Sequence, residues 1–144
     1  MWFWLALCAA VIWGFEYVFA EKVLDKVSVS SYVFLQFVFG FLLVAGWVLA
    51  KGHLGQDLKT IISSRQILIF LAINIICFLI GEALIAASVQ NKNAAVAGLV
   101  EISYPFFIVL FTWVIFREVS INLFTFFGGL LILSGVSVIY FSNR

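Results

Sequence analysis

Apolar residues fill five long stretches of the chain, and short segments between them carry most of the polar residues. Each stretch is near the length at which a helix, rising about 1.5 Å per residue, crosses roughly 30 Å of hydrocarbon. We therefore predict membrane-spanning helices at about 2–20, 30–50, 66–88, 94–116 and 121–141. The expected fold class is an all-α integral membrane protein, with residues 1–144 as one five-helix domain.

The segments between the spans are predicted to be simple connectors. The longest, 51–65, contains a modestly amphipathic run from Asp57 to Arg65 that is expected to lie along the membrane interface. The turn at 90–93 is very brief, so the third and fourth helices should form an antiparallel hairpin with Asn93 as an N-cap. No internal repeat is visible.

The first span also has to be considered as a cleaved signal peptide, because it is short and ends in a loosely fitting small-residue site. It has no basic segment before it, and it contains Trp13 and Glu16, which are poor residues for a cleaved apolar segment. We expect it to be retained as a helix.

Composition leaves no room for a separate soluble domain. Of 144 residues, 65% are hydrophobic, 18% aromatic and 10% charged, which is typical of a membrane protein. The net charge of +1 and the scattered basic residues argue against nucleic acid as a partner. Cys8 and Cys77 both fall in apolar spans, where packing is the expected role.

The basic residues are balanced across the membrane. Five crossings place four of the eight on the side of the N-terminus (Lys51, Lys59, Arg65, Arg117) and four on the other side (Lys22, Lys26, Lys92, Arg144). An excess of Lys and Arg normally marks the cytoplasmic side. With four basic residues on each side, the charge distribution of this chain hardly favours one orientation in the membrane over the other. The hypothesis is a dual-topology protein that assembles as an antiparallel pair.

Three acidic residues and one long amide lie inside the spans, with no basic residue beside them: Glu16, Glu82, Glu101 and Gln36. Counting about 1.5 Å per residue from each span's midpoint places all four about 6–7 Å from the midplane, on the side opposite the N-terminus. Helix direction reverses between neighbouring spans, so four helices contribute to one polar level.

Acidic residues at such depths face a bundle interior or a watery cavity and mark transport pathways in many membrane proteins. Each costs roughly 2.5–3.5 kcal/mol on insertion scales, which the surrounding apolar residues can offset. We interpret the level as a site where protons and a cationic substrate compete for carboxylates, the basis of antiport. The alternative is that single glutamates are protonated, structural hydrogen-bonding groups.

Aromatic residues and a proline accompany the glutamates. Trp13 and Tyr17 flank Glu16, and Tyr104 follows Glu101 by three residues, so these rings are candidate substrate contacts. Pro105 lacks an N–H for the carbonyl four residues earlier and is predicted to kink the fourth helix. A kink near the midplane is a recurring device of transporter sites, although it can also be purely structural.

Small residues recur at spacings that allow helices to approach closely. Gly14 continues a series with Ala6 and Ala10, and Gly128, Gly129 and Gly135 share the fifth helix. They are predicted to pack helices, either within the chain or between subunits.

Several of these residues resemble the EamA-type domain of the drug/metabolite transporter superfamily, over nearly the whole chain. The carriers of the resemblance are Trp13-Gly14, Tyr104-Pro105, Arg117-Glu118 and the run from Gly128 to Gly135. Familiar members carry two such domains, inverted with respect to each other. The resemblance implies that this chain is one half, which an antiparallel homodimer would complete. Gln36, where the family often has a basic residue, and the intramembrane Glu16 depart from the common pattern.

The predicted function is a transporter subunit in the cytoplasmic membrane of a prokaryote. It would move a small polar solute, cationic or zwitterionic, by proton-coupled alternating access. Small multidrug resistance proteins, which resemble it in dual topology and a first-helix glutamate, support cation–proton exchange by analogy. The alternatives are a passive channel and a subunit of a hetero-oligomer. An enzyme is not expected, because the sole histidine, His53, lies in a loop and no metal or cofactor site is visible.

Overall fold

The structure, a computed structural model, describes residues 1–118 and 122–142, and helices joined by short turns make up this part of the chain. The helices are α1 (Trp2–Leu24), α2 (Val29–Lys51), α3 (Leu54–Ser63), α4 (Arg65–Asn91), α5 (Ala94–Glu101), α6 (Tyr104–Phe111), a π-helical segment (Thr112–Phe116) and α7 (Leu123–Ser142). Five spans within the described residues are long and apolar enough to cross a membrane, the fourth being α5 to the π-helical segment. The predicted all-α membrane fold is confirmed.

Two predicted spans end later than expected. α1 runs to Leu24 instead of residue 20, and α4 runs to Asn91 instead of residue 88. Hydropathy marks the edge of the hydrocarbon, whereas a helix continues for as long as its polar residues tolerate helical geometry and its last carbonyls find donors. The predicted start of the fifth span, Ile121, and one residue of the charge balance, Arg144, lie outside the described residues.

Local capping explains where α2 and α4 begin and end. The Ser28 side chain accepts a hydrogen bond from Ser31 N at 3.4 Å, and Ser64 does the same for Ile67 N at 3.4 Å. Gly52 ends α2 at a φ of 72°, a left-handed conformation that glycine adopts without steric cost. The amphipathic run in the longest connector is helical, as part of α3; its position at the membrane interface stays a prediction.

The predicted hairpin is present. α4 and α5 pack against each other across a two-residue turn, and Asn93 Oδ1 accepts a hydrogen bond from Val96 N at 2.8 Å, so the expected N-cap is confirmed. α4 also packs against α1 and α2, and α1 packs against α5. α7 contacts the fourth span, through α5 and α6.

The buried core lies at one end of the bundle. Its members are small or medium apolar residues from the last turns of α1 and α4 and the first turns of α5, namely Ala20, Leu24, Ala86, Val89, Ala94 and Ala97. We call this the closed end. At the opposite, open end, the described residues include no buried side chain, so the helices there are not packed tightly against one another.

The fourth span is interrupted between α5 and α6. Ile102 and Ser103 form a turn, in which Ser103 N donates to Val100 O at 3.2 Å and Phe106 N donates to Ser103 O at 3.1 Å. Pro105 stands in the first turn of α6, where its missing N–H is tolerated. The interruption leaves Glu101 as the last residue of α5.

Candidate functional site

Carboxyl groups from three helices come together beside the closed end. Glu16 on α1, Glu82 on α4 and Glu101 on α5 form what we call the carboxyl cluster. Glu82 lies within electrostatic range of both other carboxyls. The reversal of helix direction between neighbouring spans brings residues from distant parts of the sequence to this one level.

Two tyrosine hydroxyls donate to the cluster. Tyr17, next to Glu16 on α1, donates a hydrogen bond across the helix interface to Glu101 Oε2. Tyr32, near the start of α2, donates to Glu16 Oε1 at 2.8 Å. Each phenolic hydroxyl ties a carboxyl group to a neighbouring helix and adds no charge of its own. Hydrogen bonds from the protein therefore support the cluster.

Gln36 approaches the same cluster from α2. Its side chain interacts with the Glu82 carboxyl. Its carbonyl oxygen, Oε1, is buried and has no hydrogen-bond partner among the described residues. Buried acceptors are nearly always paired in folded proteins, so this oxygen is a marked exception.

A cavity of about 360 Å³ adjoins the cluster between α1 and α2. Glu16, Tyr32 and Gln36 supply its polar wall, and most of the remaining wall is apolar, including Phe19 and Phe39. A few convergent polar groups in a largely apolar cavity are typical of small-molecule sites.

The charged groups that act on Glu82 are the other two carboxyls of the cluster. The ion pairs seen between described residues join Lys22 to Glu21 at 3.5 Å and to Asp25 at 3.8 Å, at the end of α1. Three neighbouring carboxyls in a medium of low dielectric constant cannot all be ionised without a counter-ion, because their mutual repulsion is poorly screened.

Two of the predicted aromatic contacts are about half exposed. Trp13 is 59% exposed and Tyr104 is 48% exposed, and neither forms a described contact with a cluster carboxyl. The turn at Ile102 and Ser103 breaks the helical register on which the pairing of Tyr104 with Glu101 depended.

The glycines predicted to pack helices have open space around them. A methyl group added at Gly14, Gly128, Gly129 or Gly135 would meet no described atom within 4 Å outside its own helical turn. Close packing at these positions is therefore not made within the described chain. The other interpretation, a role between subunits, stays a prediction.

A different glycine makes a close contact that the sequence reasoning missed. A methyl group at Gly98 on α5 would lie 3.2 Å from two ring carbons of Tyr17. The absence of a side chain there lets the Tyr17 ring lie across α5 and reach Glu101, one turn further along. The three-residue spacing of Gly98 and Glu101 was the available signal.

Tyr32 was also missed, although it precedes Gln36 by four residues and so shares its helix face. Two polar residues at the closed end went unnoticed as well. Glu21 Oε2 accepts from Ala94 N, the first amide of α5, at 2.7 Å. Gln90 Nε2 donates to Leu24 O at 2.8 Å and to Val27 O at 3.1 Å, beyond the end of α1.

A larger cavity of about 780 Å³ lies between α6 and α7. Its walls are mostly apolar and include Pro105, Trp113, Phe126, Gly128 and Gly129. Because it offers few polar groups and does not contain the carboxyl cluster, it is a poorer candidate for a charged solute than the smaller cavity.

A family model described as the EamA-like transporter family matches residues 1–141. The chain belongs to this family. No curated protein and no solved structure matches the chain. The EamA family is one of membrane transporters within the drug/metabolite transporter superfamily, not of enzymes. With its five apolar spans, this EamA-family protein is therefore a multi-pass membrane protein in contact with the lipid bilayer.

Proposed function

We propose that this EamA-family protein exchanges protons for a small cationic or zwitterionic solute, through the carboxyl cluster and by alternating access. The observation that carries the proposal is the meeting of Glu16, Glu82 and Glu101 beside a cavity whose described lining includes no basic residue. A proton and a cationic solute each neutralise the negative charge of these carboxyl groups. Each therefore displaces the other.

The tyrosines give the exchange a physical route. With the site empty, Tyr17 and Tyr32 donate to Glu101 and Glu16, and protons neutralise the remaining charge. A cation entering the cavity replaces those protons, which leave as the carboxylates ionise. Reprotonation from the other side releases the cation, so the two fluxes are coupled.

Alternating access requires a second arrangement of the helices, and the two ends of the bundle differ in a way that suits it. Interhelical hydrogen bonds and the buried core join α1, α4 and α5 at the closed end. The open end is free to be covered by another subunit. We propose an antiparallel homodimer in the cytoplasmic membrane of a prokaryote, supported by the balanced basic residues and the uncovered glycines of α7.

Proton-coupled transport is tested in proteoliposomes containing the purified protein. A pH gradient should drive uptake of cationic solutes, and solute addition should release protons from the detergent-solubilised protein. Glu16→Gln and Glu101→Gln should abolish both signals, whereas Asp57→Asn, in the connecting helix α3, should leave them near wild type. Fast flux that ignores the gradient would instead indicate a passive channel.

The assembly is tested separately. On a background without Cys8 and Cys77, a single cysteine at Gly135 should crosslink between copies if α7 forms the subunit interface. Reporter fusions at the C-terminus should then appear on both sides of the membrane. Reporters on one side alone would refute dual topology, and crosslinking only to a different chain would indicate a hetero-oligomer.

A further inference from the structure

Helix α3 joins two membrane-spanning helices through very short linkers. Gly52 and His53 separate it from the end of α2, and Ser64 separates it from the start of α4. Linkers of this length reach no further than roughly 10 Å. Because α2 and α4 are membrane spans, both ends of α3 are held close to the membrane surface, and the helix must lie along it.

The apolar residues of α3 form one exposed stripe. Leu54, Leu58 and Ile62 recur at every fourth position and are 41%, 45% and 71% exposed, so the rest of the described chain leaves them uncovered. The polar residues Gln56 and Thr60 occupy the opposite side of the helix. A helix with one apolar and one polar side is typical of segments that lie in the membrane interface.

Three basic residues accompany this stripe. Lys51 ends α2, Lys59 lies within α3, and Arg65 begins α4. None of them forms an ion pair with a described residue, since the ion pairs of the described chain lie at the end of α1. With three basic residues and one acidic residue, Asp57, the segment carries a net charge of +2.

We infer that α3 binds anionic phospholipid. Its apolar stripe enters the border between headgroups and acyl chains, and Lys51, Lys59 and Arg65 contact the negatively charged headgroups. A bilayer with anionic lipid offers hydrocarbon to the stripe and phosphate to the basic side chains at the same depth. A second copy of α3 would instead bring an equal positive charge, which repels. The inference uses no residue of the carboxyl cluster and so goes beyond the proposed function.

Spin labels test the depth of α3 in the full chain. On a background without Cys8 and Cys77, Leu58→Cys places a nitroxide on the apolar stripe, and Gln56→Cys is the matched control on the opposite side. The proteoliposomes contain phosphatidylglycerol and phosphatidylcholine. We expect oxygen, which concentrates in hydrocarbon, to relax the label at Leu58→Cys more than a water-soluble nickel complex does, and the control to show the reverse.

Headgroup selectivity is measured in neutral detergent micelles, with a fluorophore at Leu58→Cys that reports the binding of added lipid. Phosphatidylglycerol should bind about tenfold more tightly than phosphatidylcholine at low salt, and the difference should shrink as salt screens the charges. Lys59→Gln and Lys51→Gln should each weaken phosphatidylglycerol binding by about fivefold, the order expected for one basic residue at a lipid surface. Lys22→Gln is the matched control, because this lysine is already paired with Glu21 and Asp25, and it should leave the binding unchanged.

Equal access of the nickel complex to both labels would overturn the inference, because α3 would then lie outside the lipid. A label at Leu58→Cys that neither reagent reaches would also overturn it, by showing that a protein surface covers the stripe. Equal binding of the two lipids, or phosphatidylglycerol binding that both lysine variants retain in full, would do the same. None of these results bears on proton-coupled transport, which fails only if the cluster glutamates are dispensable for flux and proton release.

Discussion

The two ends of this helical bundle are built differently. At the closed end, the last turns of α1 and α4 meet the first turn of α5 through small buried side chains and interhelical hydrogen bonds. At the open end, the first seven residues of α1 are exposed and the described part of the chain buries no side chain. The carboxyl cluster lies next to the closed end.

The difference between the two ends assigns most of the stability of the bundle to the closed end and leaves the open end loosely packed. Small residues at the closed end let helices approach closely, and in lipid such packing and hydrogen bonding carry the association of helices, because tails and side chains are equally apolar. The open end has little of either. We therefore expect substitutions at the closed end to unfold the protein, and equivalent substitutions at the open end to be tolerated by the isolated chain.

The strongest test of this comparison is overpacking. Ala97 is 2% exposed, and Ala97→Leu should destabilise the protein by about 1–3 kcal/mol because the added atoms have no space. Ala72→Leu makes the same change at an exposed position on the open half of α4 and should have little effect. Thermal unfolding of both purified variants in detergent is the measurement; equal midpoints would contradict the comparison.

The next test removes a hydrogen-bonded link. Gln90→Ala deletes the donor to Leu24 O and Val27 O and should cost about 1–2 kcal/mol, mainly because the Leu24 carbonyl loses its partner in a part-buried setting. Asn91→Ala removes a bond within α4, from Asn91 Nδ2 to Ala87 O at 2.8 Å, and is the control. A drop in melting midpoint no larger than the control's would show that the link between α1 and α4 is unimportant.

A smaller loss of stability is expected when Glu21, whose carboxylate caps the start of α5, is changed. Glu21→Gln keeps an acceptor for Ala94 N but removes the negative charge that favours the N-terminal end of a helix. The melting midpoint should fall by less than in Gln90→Ala. Asp25→Asn, which lies after the end of α1, should not change it, and a larger fall there would assign the effect to general surface charge.

The smallest expected effect is on the free energy of unfolding when each of two glycines is replaced by alanine, because the two changes should differ. Gly46→Ala, in open space on α2, should stabilise the helix by roughly 0.5–1 kcal/mol. Gly98→Ala should lose that gain, because its methyl group would press on the Tyr17 ring at 3.2 Å. Proton release should weaken in Gly98→Ala and not in Gly46→Ala. Equal stabilisation without loss of proton release would show that Tyr17 adapts freely.

Much of the fold could be predicted from patterns along the sequence. Apolar runs of membrane-crossing length predicted the five spans, and the brief polar turn before Asn93 predicted both the hairpin and its cap. The common level of Glu16, Glu82 and Glu101 could be estimated because helical rise is constant and direction alternates. These are properties of each helix taken by itself.

The contacts between helices depend on rotation about each helix axis, which sequence spacing alone does not give. Trp13 was predicted as a substrate contact from its spacing to Glu16; it is 59% exposed, and its role stays a prediction. Tyr32 was overlooked because spacing within α2 does not show that its hydroxyl meets Glu16 of α1. The roles of the predicted site residues stay predictions until transport is measured.

The turn at Ile102 and Ser103 divides the fourth span, but both halves have the same neighbour. α5 is capped by Asn93 and by Glu21 at the closed end, and α7 packs beside both α5 and α6. In a transport cycle of the kind proposed here, a shift of α7 would therefore reach both halves of the fourth span, including the one that ends at Glu101.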